Sequence, residues 1–342
     1  MARIAINGFG RIGRMAFRVL HERGLHTSVI AINDLADAST LAHLLTYDTS
    51  YGRLDCDVSA HTYENQPPYT GALVVNNHAF YVLSEKEPAK LPWRDLAIDV
   101  VLECTGRFID AAALQQHQQA GAKRVLLSAP VDGDGVVTVV TGINDTAVTA
   151  DTPLVANASC TTNCIAPVAA LMVKEFGVEK AMMTTIHSYT ADQMLQDSAH
   201  KDLRRARSAA ENIVPTTTGA AKAAALVVPE LKGLFHGLAI RVPTPVGSLS
   251  DFTFVTKKPV TVEAVNDLFR RASQQPELQG ILDYVEVPLV SSDIIGSPAS
   301  CIVDGLLTQV VDGTLVKVVA WYDNEWGYAN RLVDQALRLA KL

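Results

Sequence analysis

Two residues have the types and surroundings for nucleophilic chemistry. Cys160 lies in VANASCTTNCIAPVAALMVKEF, where a short apolar segment passes through a polar turn into a helical pattern, and the cysteine falls where that helix should begin. Unpaired backbone N–H groups and the helix dipole favour a thiolate over a thiol at such a place. Ser159 and Thr161 beside it supply hydroxyls suited to capping and anion contact, and Pro167 is expected early enough in the helix to be tolerated. The second residue is His187 in TTIHSYTADQ, a candidate base. Each also has a plainer reading, since lone cysteines are mostly buried and a histidine in an alternating strand more often satisfies a core contact. The rest of the chain shifts both.

The first element that must position such chemistry opens the sequence. RIAINGFGRIGRMAFRVLHERG reads as a strand, a glycine turn and an amphipathic helix, with Gly8, Gly10 and Gly13 forming GxGxxG in the context that gives the motif meaning. VIAIND follows as a second strand ending in Asp34, where a dinucleotide fold expects an acid for the ribose hydroxyls about 20 residues on. Residues 61–82 alternate like an antiparallel hairpin, while IDVVLECTG and KRVLLSAP are continuous apolar runs of the kind buried in parallel sheets, with a helix ending at Gly121 between them. After the cysteine helix the texture changes to alternation in KAMMTTIHSYT, GLAIRVPTPVGSLSDFTFVT, DYVEVPLVSSD, ASCIVDG and TLVKVVAWYD, which reads as an antiparallel sheet of long strands. Residues 192–218 lack periodicity, and a loop that long inside a compact domain is usually functional. EWGYANRLVDQALRLAKL closes as an amphipathic helix. The fold class is α/β: a Rossmann-type doubly wound part, then an α+β part with a large mixed or antiparallel sheet.

Composition sets limits. With 342 residues, 48% hydrophobic and 19% charged, two domains are expected. No apolar run reaches the roughly 18 residues of a membrane span, and the opening MARIAINGFG lacks a signal-peptide pattern, so a cytoplasmic location is expected. A net charge of −7 argues against a general nucleic-acid surface. The five cysteines are scattered without CxxC spacing, which fits a reducing compartment and gives no metal site.

With the glycine fingerprint, SCTTNC, HSYTADQ, NIVPTTTGAAKA, RVPTP and WYDNEWGYANR in this order, the sequence resembles the phosphorylating glyceraldehyde-3-phosphate dehydrogenase family over essentially its full length. The resemblance implies an NAD-binding Rossmann domain over 1–158, a catalytic domain over 159–323, and a C-terminal helix over 324–342 that returns to the first domain. It also implies a homotetramer in which the loop at about 188–212 joins subunit contacts near the cofactor. Cys160 would be the nucleophile that forms a thiohemiacetal and then a thioester; His187 would lower the thiol pKa by ion pairing and act as base. Thr190, Asp192 and Arg241 match the site for the phosphate of glyceraldehyde 3-phosphate. Ser159, Thr161, Thr218 and Gly219 match the site for the attacking inorganic phosphate, with Arg205 near both. For the cofactor, Arg11 and Ile12 match the pyrophosphate turn, Asp34 the ribose contact, Ser128 the groove and Asn324 the nicotinamide carboxamide.

Two departures stand out. Val246 and Gly247 replace the Asn and Val of many relatives, and Ser198 and Ala199 stand where strictly NAD-dependent relatives often carry Leu and Pro. NAD is therefore the expected cofactor, with NADP left open. An erythrose-4-phosphate dehydrogenase, which releases acid by water attack, is the nearest rival; a catalytically silent NAD-binding scaffold on the same fold is a rival of another class.

Overall fold

A computed structural model describes residues 2–64, 66–131 and 133–342. The chain forms two compact units, one of Met1–Val139, Thr146–Ala158 and Ala329–Leu342, the other of Val140–Asp145 and Ser159–Tyr328.

The first unit is built on nine strands: β1 (Ile4–Asn7), β2 (Val29–Asn33), β3 (Val58–Thr62), β4 (Tyr69–Val75), β5 (His78–Leu83), β6 (Val100–Glu103), β7 (Arg124–Leu127), β8 (Val137–Thr138) and β9 (Leu154–Ala156). They run β8-β9-β7-β6-β1-β2-β5-β4-β3 across one sheet. Pairings from β8 through β5 are parallel, and β4 and β3 add an antiparallel edge. Every residue of β1 and β6 is buried, as strands covered on both faces require. Helix α1 (Arg11–Glu22) buries Met15, Phe17 and Leu20, and Phe17 meets Phe80 edge to face at 5.2 Å; burying such a side chain is worth about 1.5–3 kcal/mol. Helix α2 spans Ala38–Thr46 and α3 spans Ala111–Gln119, each N-capped by an aspartate, Asp37 and Asp110. The expected hairpin is present as β4 and β5, turning at Asn76 and Asn77 with φ of 48° and 63°, the left-handed pair of a two-residue hairpin turn. The edge strand β3 was not evident in the sequence, and Asn65 lies outside the described residues.

The second unit contains α4 (Cys160–Phe176), β10 (Val178–Ser188), β11 (Val214–Thr217), α5 (Ala220–Val227), β12 (Phe235–Val242), β13 (Ser248–Thr256), α6 (Val262–Ala272), β14 (Leu282–Val285), β15 (Cys301–Asp304), β16 (Gln309–Val311) and β17 (Leu315–Tyr322), and the last helix, α7 (Trp326–Leu339), begins in it. Its sheet runs β11-β12-β10-β13-β17-β15-β14, with β16 beside β17. Along β13 buried and part-exposed residues alternate strictly, the period-2 pattern of a sheet with one covered face. The sheet is mixed: β10 and β12 are parallel, as are β14 and β15. The parallel pairing of β10 with β12 follows because β11 and α5 intervene and return the chain in the same direction. GLAIRVPTPVGSLSDFTFVT is two strands, since Pro243, Pro245 and the positive φ of Gly247 break it. DYVEVPLVSSD is a strand only to Val285, and Pro288 follows in irregular chain.

Helix α7 crosses the division between units at Ala329. At the C-cap of α1, Arg23 donates to Asp334 at 2.6 Å and to Asn330 at 2.5 Å, holding this final segment in place.

Candidate active site

Cys160 is the first residue of α4. The preceding residue Ser159 is extended (φ −107°, ψ 165°), and its Oγ accepts from the Thr162 N–H at 3.0 Å, the usual N-cap bond. Ala158, one residue earlier, has φ 52°, a rare conformation for a residue with a Cβ and one that turns the chain sharply from strand into helix. Pro167 is not in the first turn but well inside α4, which runs through it. Its ring cannot donate to the Asn163 carbonyl, so the expectation that it falls early in the helix is corrected, although the helix accommodates it.

His187 sits next to last on β10, and the parallel register pairs it with Arg241 on β12. Its Nε2 lies 3.4 Å from Cys160 Sγ, and its Nδ1 lies 2.7 Å from the Ser188 carbonyl. Nδ1 thus faces both an acceptor, this carbonyl, and a donor, the Arg241 guanidinium; with the ring proton on Nδ1, Nε2 faces the thiol as acceptor. Arg241 Nη1 donates to the same carbonyl at 3.0 Å and to Thr190 Oγ1 at 3.2 Å, approaching His187 Nδ1 to 2.9 Å. Thr190 donates in turn to Asp192, which is paired with Arg205. The structure thus gathers Cys160, His187, Thr190, Asp192, Arg205 and Arg241 into one connected cluster.

The electrostatics differ from the expectation. Burial pushes the Cys160 thiol above its ordinary value, and the nearby Arg241 and the Thr161 hydroxyl pull it only partly back. Burial, then the Arg241 charge, lowers His187 to about 3. A resting thiolate–imidazolium pair was expected; the surroundings favour a neutral thiol beside a neutral imidazole, because desolvation outweighs the helix-end effect at the thiol and, together with the Arg241 charge, opposes the imidazolium. Burial opposes ionisation of Asp192 too, but the Thr190 hydroxyl and the charges of Arg241 and Arg205 outweigh it and hold the carboxylate below its usual range.

The hydroxyls expected around a second anion are more dispersed. Thr161 is buried, with Oγ1 2.9 Å from the Tyr322 hydroxyl, and Tyr322 reaches Thr185 at 2.8 Å while its ring meets that of His187 edge-on at 6.0 Å. Sequence reasoning missed Tyr322, although it stands in the same WYDNEWG segment as Asn324. Thr218 Oγ1 accepts from the Ala220 N–H at the start of α5, where Gly219 is N-cap and a Cβ on it would meet open space. Among the described residues no hydrogen bond joins Thr218 or Gly219 to the cysteine–histidine pair; Arg205 comes nearest to linking them, donating to Thr216 Oγ1 at 3.0 Å and Thr217 O at 3.3 Å.

Asn324 is buried, and its Oδ1 accepts from Gly247 N at 3.1 Å and Ser248 Oγ at 2.9 Å, which leaves its amide nitrogen as the group it can offer. Ser248 Oγ also accepts from the Ser188 N–H, so Asn324 and the carbonyl that orients His187 share one support. Gly247 has φ 95°, and a Cβ there would stand 2.5 Å from Ser291 O, which accounts for glycine at this position.

In the first unit the glycine fingerprint borders a cavity of about 310 Å³ whose lining includes Asn7, Gly8, Gly10, Asp34, Thr105 and Phe108. A Cβ on Gly8 would stand 2.7 Å from Thr105 N, and one on Gly13 would overlap the Gly8 carbonyl oxygen, so both glycines are required by close backbone approach. Asp34 is held by the Phe9 N–H at 2.7 Å and the Ala36 N–H at 3.0 Å. This cradle fits a dinucleotide: an open N-terminus on α1 for the pyrophosphate and a fixed carboxylate for a ribose. Arg11, Ile12 and Ser128 are not in the lining. The Arg11 guanidinium pairs with Asp48 and lies over the Tyr51 ring, leaving its backbone for any phosphate contact.

Residues 2–111 match the family profile described as glyceraldehyde 3-phosphate dehydrogenase, NAD binding domain, and residues 159–324 match that of the C-terminal domain of the same family. Similar curated proteins include a glyceraldehyde-3-phosphate dehydrogenase of Kitasatospora aureofaciens, 52% identical over 99% of both chains. Glyceraldehyde-3-phosphate dehydrogenase 2 of Streptomyces avermitilis is 51% identical over 97% of this chain and 96% of its own. That of Borreliella burgdorferi is 49% identical over 99% and 100%.

Proposed function

The chain belongs to the glyceraldehyde-3-phosphate dehydrogenase family, and from that membership we propose that Cys160, His187 and Arg241 carry the NAD-dependent oxidation of glyceraldehyde 3-phosphate, with inorganic phosphate, to 1,3-bisphosphoglycerate. The observation that carries the assignment is the 3.4 Å contact of Cys160 Sγ with His187 Nε2. An aldehyde carbon must become tetrahedral before it can release hydride and end as an acyl group. Cys160 Sγ attacks that carbon while its proton passes to His187 Nε2, and the imidazolium returns the proton to the new oxyanion to give a thiohemiacetal. Bound NAD supplies the hydride acceptor. As the hydride leaves, His187 takes the hydroxyl proton again, and a thioester remains on Cys160.

Thr190 and Arg241 hold the phosphate of the substrate, with Asp192 and Arg205 fixing their positions. Ser159, Thr161, Thr218 and Gly219 receive the phosphate that opens the thioester, assisted by Arg205. Asp34, Gly8, Gly10 and the start of α1 hold NAD, and Asn324 orients its nicotinamide. Exposed Leu195, Leu203 and Ile213 in the loop after His187, at 78%, 81% and 71%, support a homotetramer in which that loop is covered; light scattering reads it. Five cysteines free of disulfides support a cytoplasmic location.

The deciding experiment measures NAD reduction with and without phosphate, using glyceraldehyde 3-phosphate and erythrose 4-phosphate. The expected result is strong phosphate dependence with the triose. Steady phosphate-independent turnover, faster with the tetrose, would overturn the assignment.

A further inference from the structure

Behind the nucleotide cavity lies a buried polar cluster that neither the fingerprint nor the catalytic chemistry uses. Glu103, the last residue of β6, and His117 in α3 have no exposed surface at all. The Trp93 indole N–H, which can only donate, lies 3.0 Å from His117 Nδ1, so the ring proton belongs on Nε2. Nε2 lies 3.1 Å from Glu103 Oε2, and Asn7 Nδ2 donates to the same oxygen at 2.5 Å. Glu103 Oε1 accepts from the Thr105 N–H at 2.8 Å and from the Thr105 hydroxyl. Among the described residues every partner of this carboxylate is a donor, and none is a lysine or arginine.

A buried carboxyl group is expensive unless donors satisfy it, and here the hydrogen bonds meet that cost. They end at the cavity. Thr105 lies against Gly8, so close that a Cβ on the glycine would stand 2.7 Å from the threonine nitrogen. Asn7 precedes Gly8, and its Oδ1 accepts from Asn33 Nδ2 at 2.7 Å; Asn33 exchanges bonds of 2.9 Å in both directions with the Glu85 backbone. Asn7, Asn33, Glu85 and Thr105 all line the cavity. The His117 ring also meets Phe108, another lining residue, edge-on at 6.4 Å.

We propose that Glu103 and His117 are positioning residues for the cofactor: His117 orients the Glu103 carboxylate, which clamps Thr105 and Asn7 about Gly8 and so sets the wall against which NAD binds. Neither residue touches the cofactor. The proposal rests on the NAD-binding reading and adds the source of the pocket's rigidity.

The test is calorimetric titration of the full-length protein with NAD, which needs no turnover. His117→Gln keeps an N–H donor near the Nε2 position, whereas His117→Asn places its amide near Nδ1 and leaves Glu103 Oε2 one donor short. The expected result is about tenfold weaker NAD binding for His117→Asn, the scale of one hydrogen bond to a charged group, with His117→Gln restoring affinity to within about twofold. At saturating NAD, kcat and the KM for the aldehyde should match the parent. Thr105→Val removes the outer hydroxyl of the network and should weaken NAD to a similar extent, and its effect should not add fully to that of His117→Asn. Unchanged NAD affinity in Thr105→Val, or equal affinities for the Gln and Asn variants, overturns the proposal. So does an equal loss of kcat at saturating NAD, which would mark a general structural role. If His117→Asn does not fold, Thr105→Val decides alone. Failure of every protein, parent included, to bind NAD would instead sink the cofactor reading.

Discussion

At Cys160 two influences pull in opposite directions. The helix start and Arg241 favour the thiolate, while burial favours the thiol, and burial wins. Reactivity then depends on handing a proton to His187 during attack rather than on a standing anion. Cys160→Ser should abolish aldehyde oxidation and leave NAD binding intact, because serine is far harder to deprotonate; calorimetry alongside the assay checks both halves. His187→Asn should slow turnover by roughly 10²-fold to 10⁴-fold and slow alkylation of Cys160 at neutral pH; an unchanged alkylation rate would dispose of the proton transfer.

His187 also makes a prediction about stability. Its folded value, about 3, lies below the 6.5 of the unfolded chain, so between those limits the unfolded state binds one more proton. Its contribution is present above pH 6.5 and is lost as pH falls toward 3, by about 1.4 kcal/mol per pH unit across that window. Urea unfolding at pH 7 and pH 5 should show a smaller difference for His187→Asn than for the parent. An identical difference would mean that the imidazole charges in the folded protein.

At the scale of elements, what the sequence made legible was local. The strand, glycine turn and helix carrying Gly8, Gly10 and Gly13, the acid at Asp34 and the cysteine at a helix start each depend on neighbours within a few residues. The contact of Arg241 with the support of His187 depends on the parallel register of β10 with β12, set by a crossover through the loop, β11 and α5, and no periodicity reports it. Tyr322 was hidden for the same reason, since its partners Thr161 and Thr185 come from elements remote in sequence. The sign of the thiol shift was illegible because burial is a property of the assembled unit. Gly247 shows a departure explained only by structure: Gly247→Val would force a Cβ toward Ser291 O at φ 95°. It should cost about 1–3 kcal/mol and, by displacing Asn324, raise the KM for NAD; a melting curve and a titration measure the two effects.

At the scale of the molecule, the chain leaves its first unit, returns through Thr146–Ala158, leaves again and comes back from Ala329. The Arg23 bonds to Asn330 and Asp334 make that last visit structural. A chain stopped after Tyr328 should lose cooperative urea unfolding of the first unit and weaken NAD binding by at least tenfold, whereas Asp334→Asn alone, a part-exposed pair, should cost no more than about 1 kcal/mol.

The same threading governs synthesis. A ribosome adding about 5–20 residues per second delivers the nucleotide-binding segment first but withholds its closing helix until the whole of the second unit has been made. During those seconds the surface beside Arg23 that α7 will cover is open to water, to chaperones and to the helix of another nascent chain. Newly made protein should therefore acquire protease resistance in its first unit only once Ala329–Leu342 has emerged, and a polysome carrying several such chains is where exchange of that helix between copies would begin.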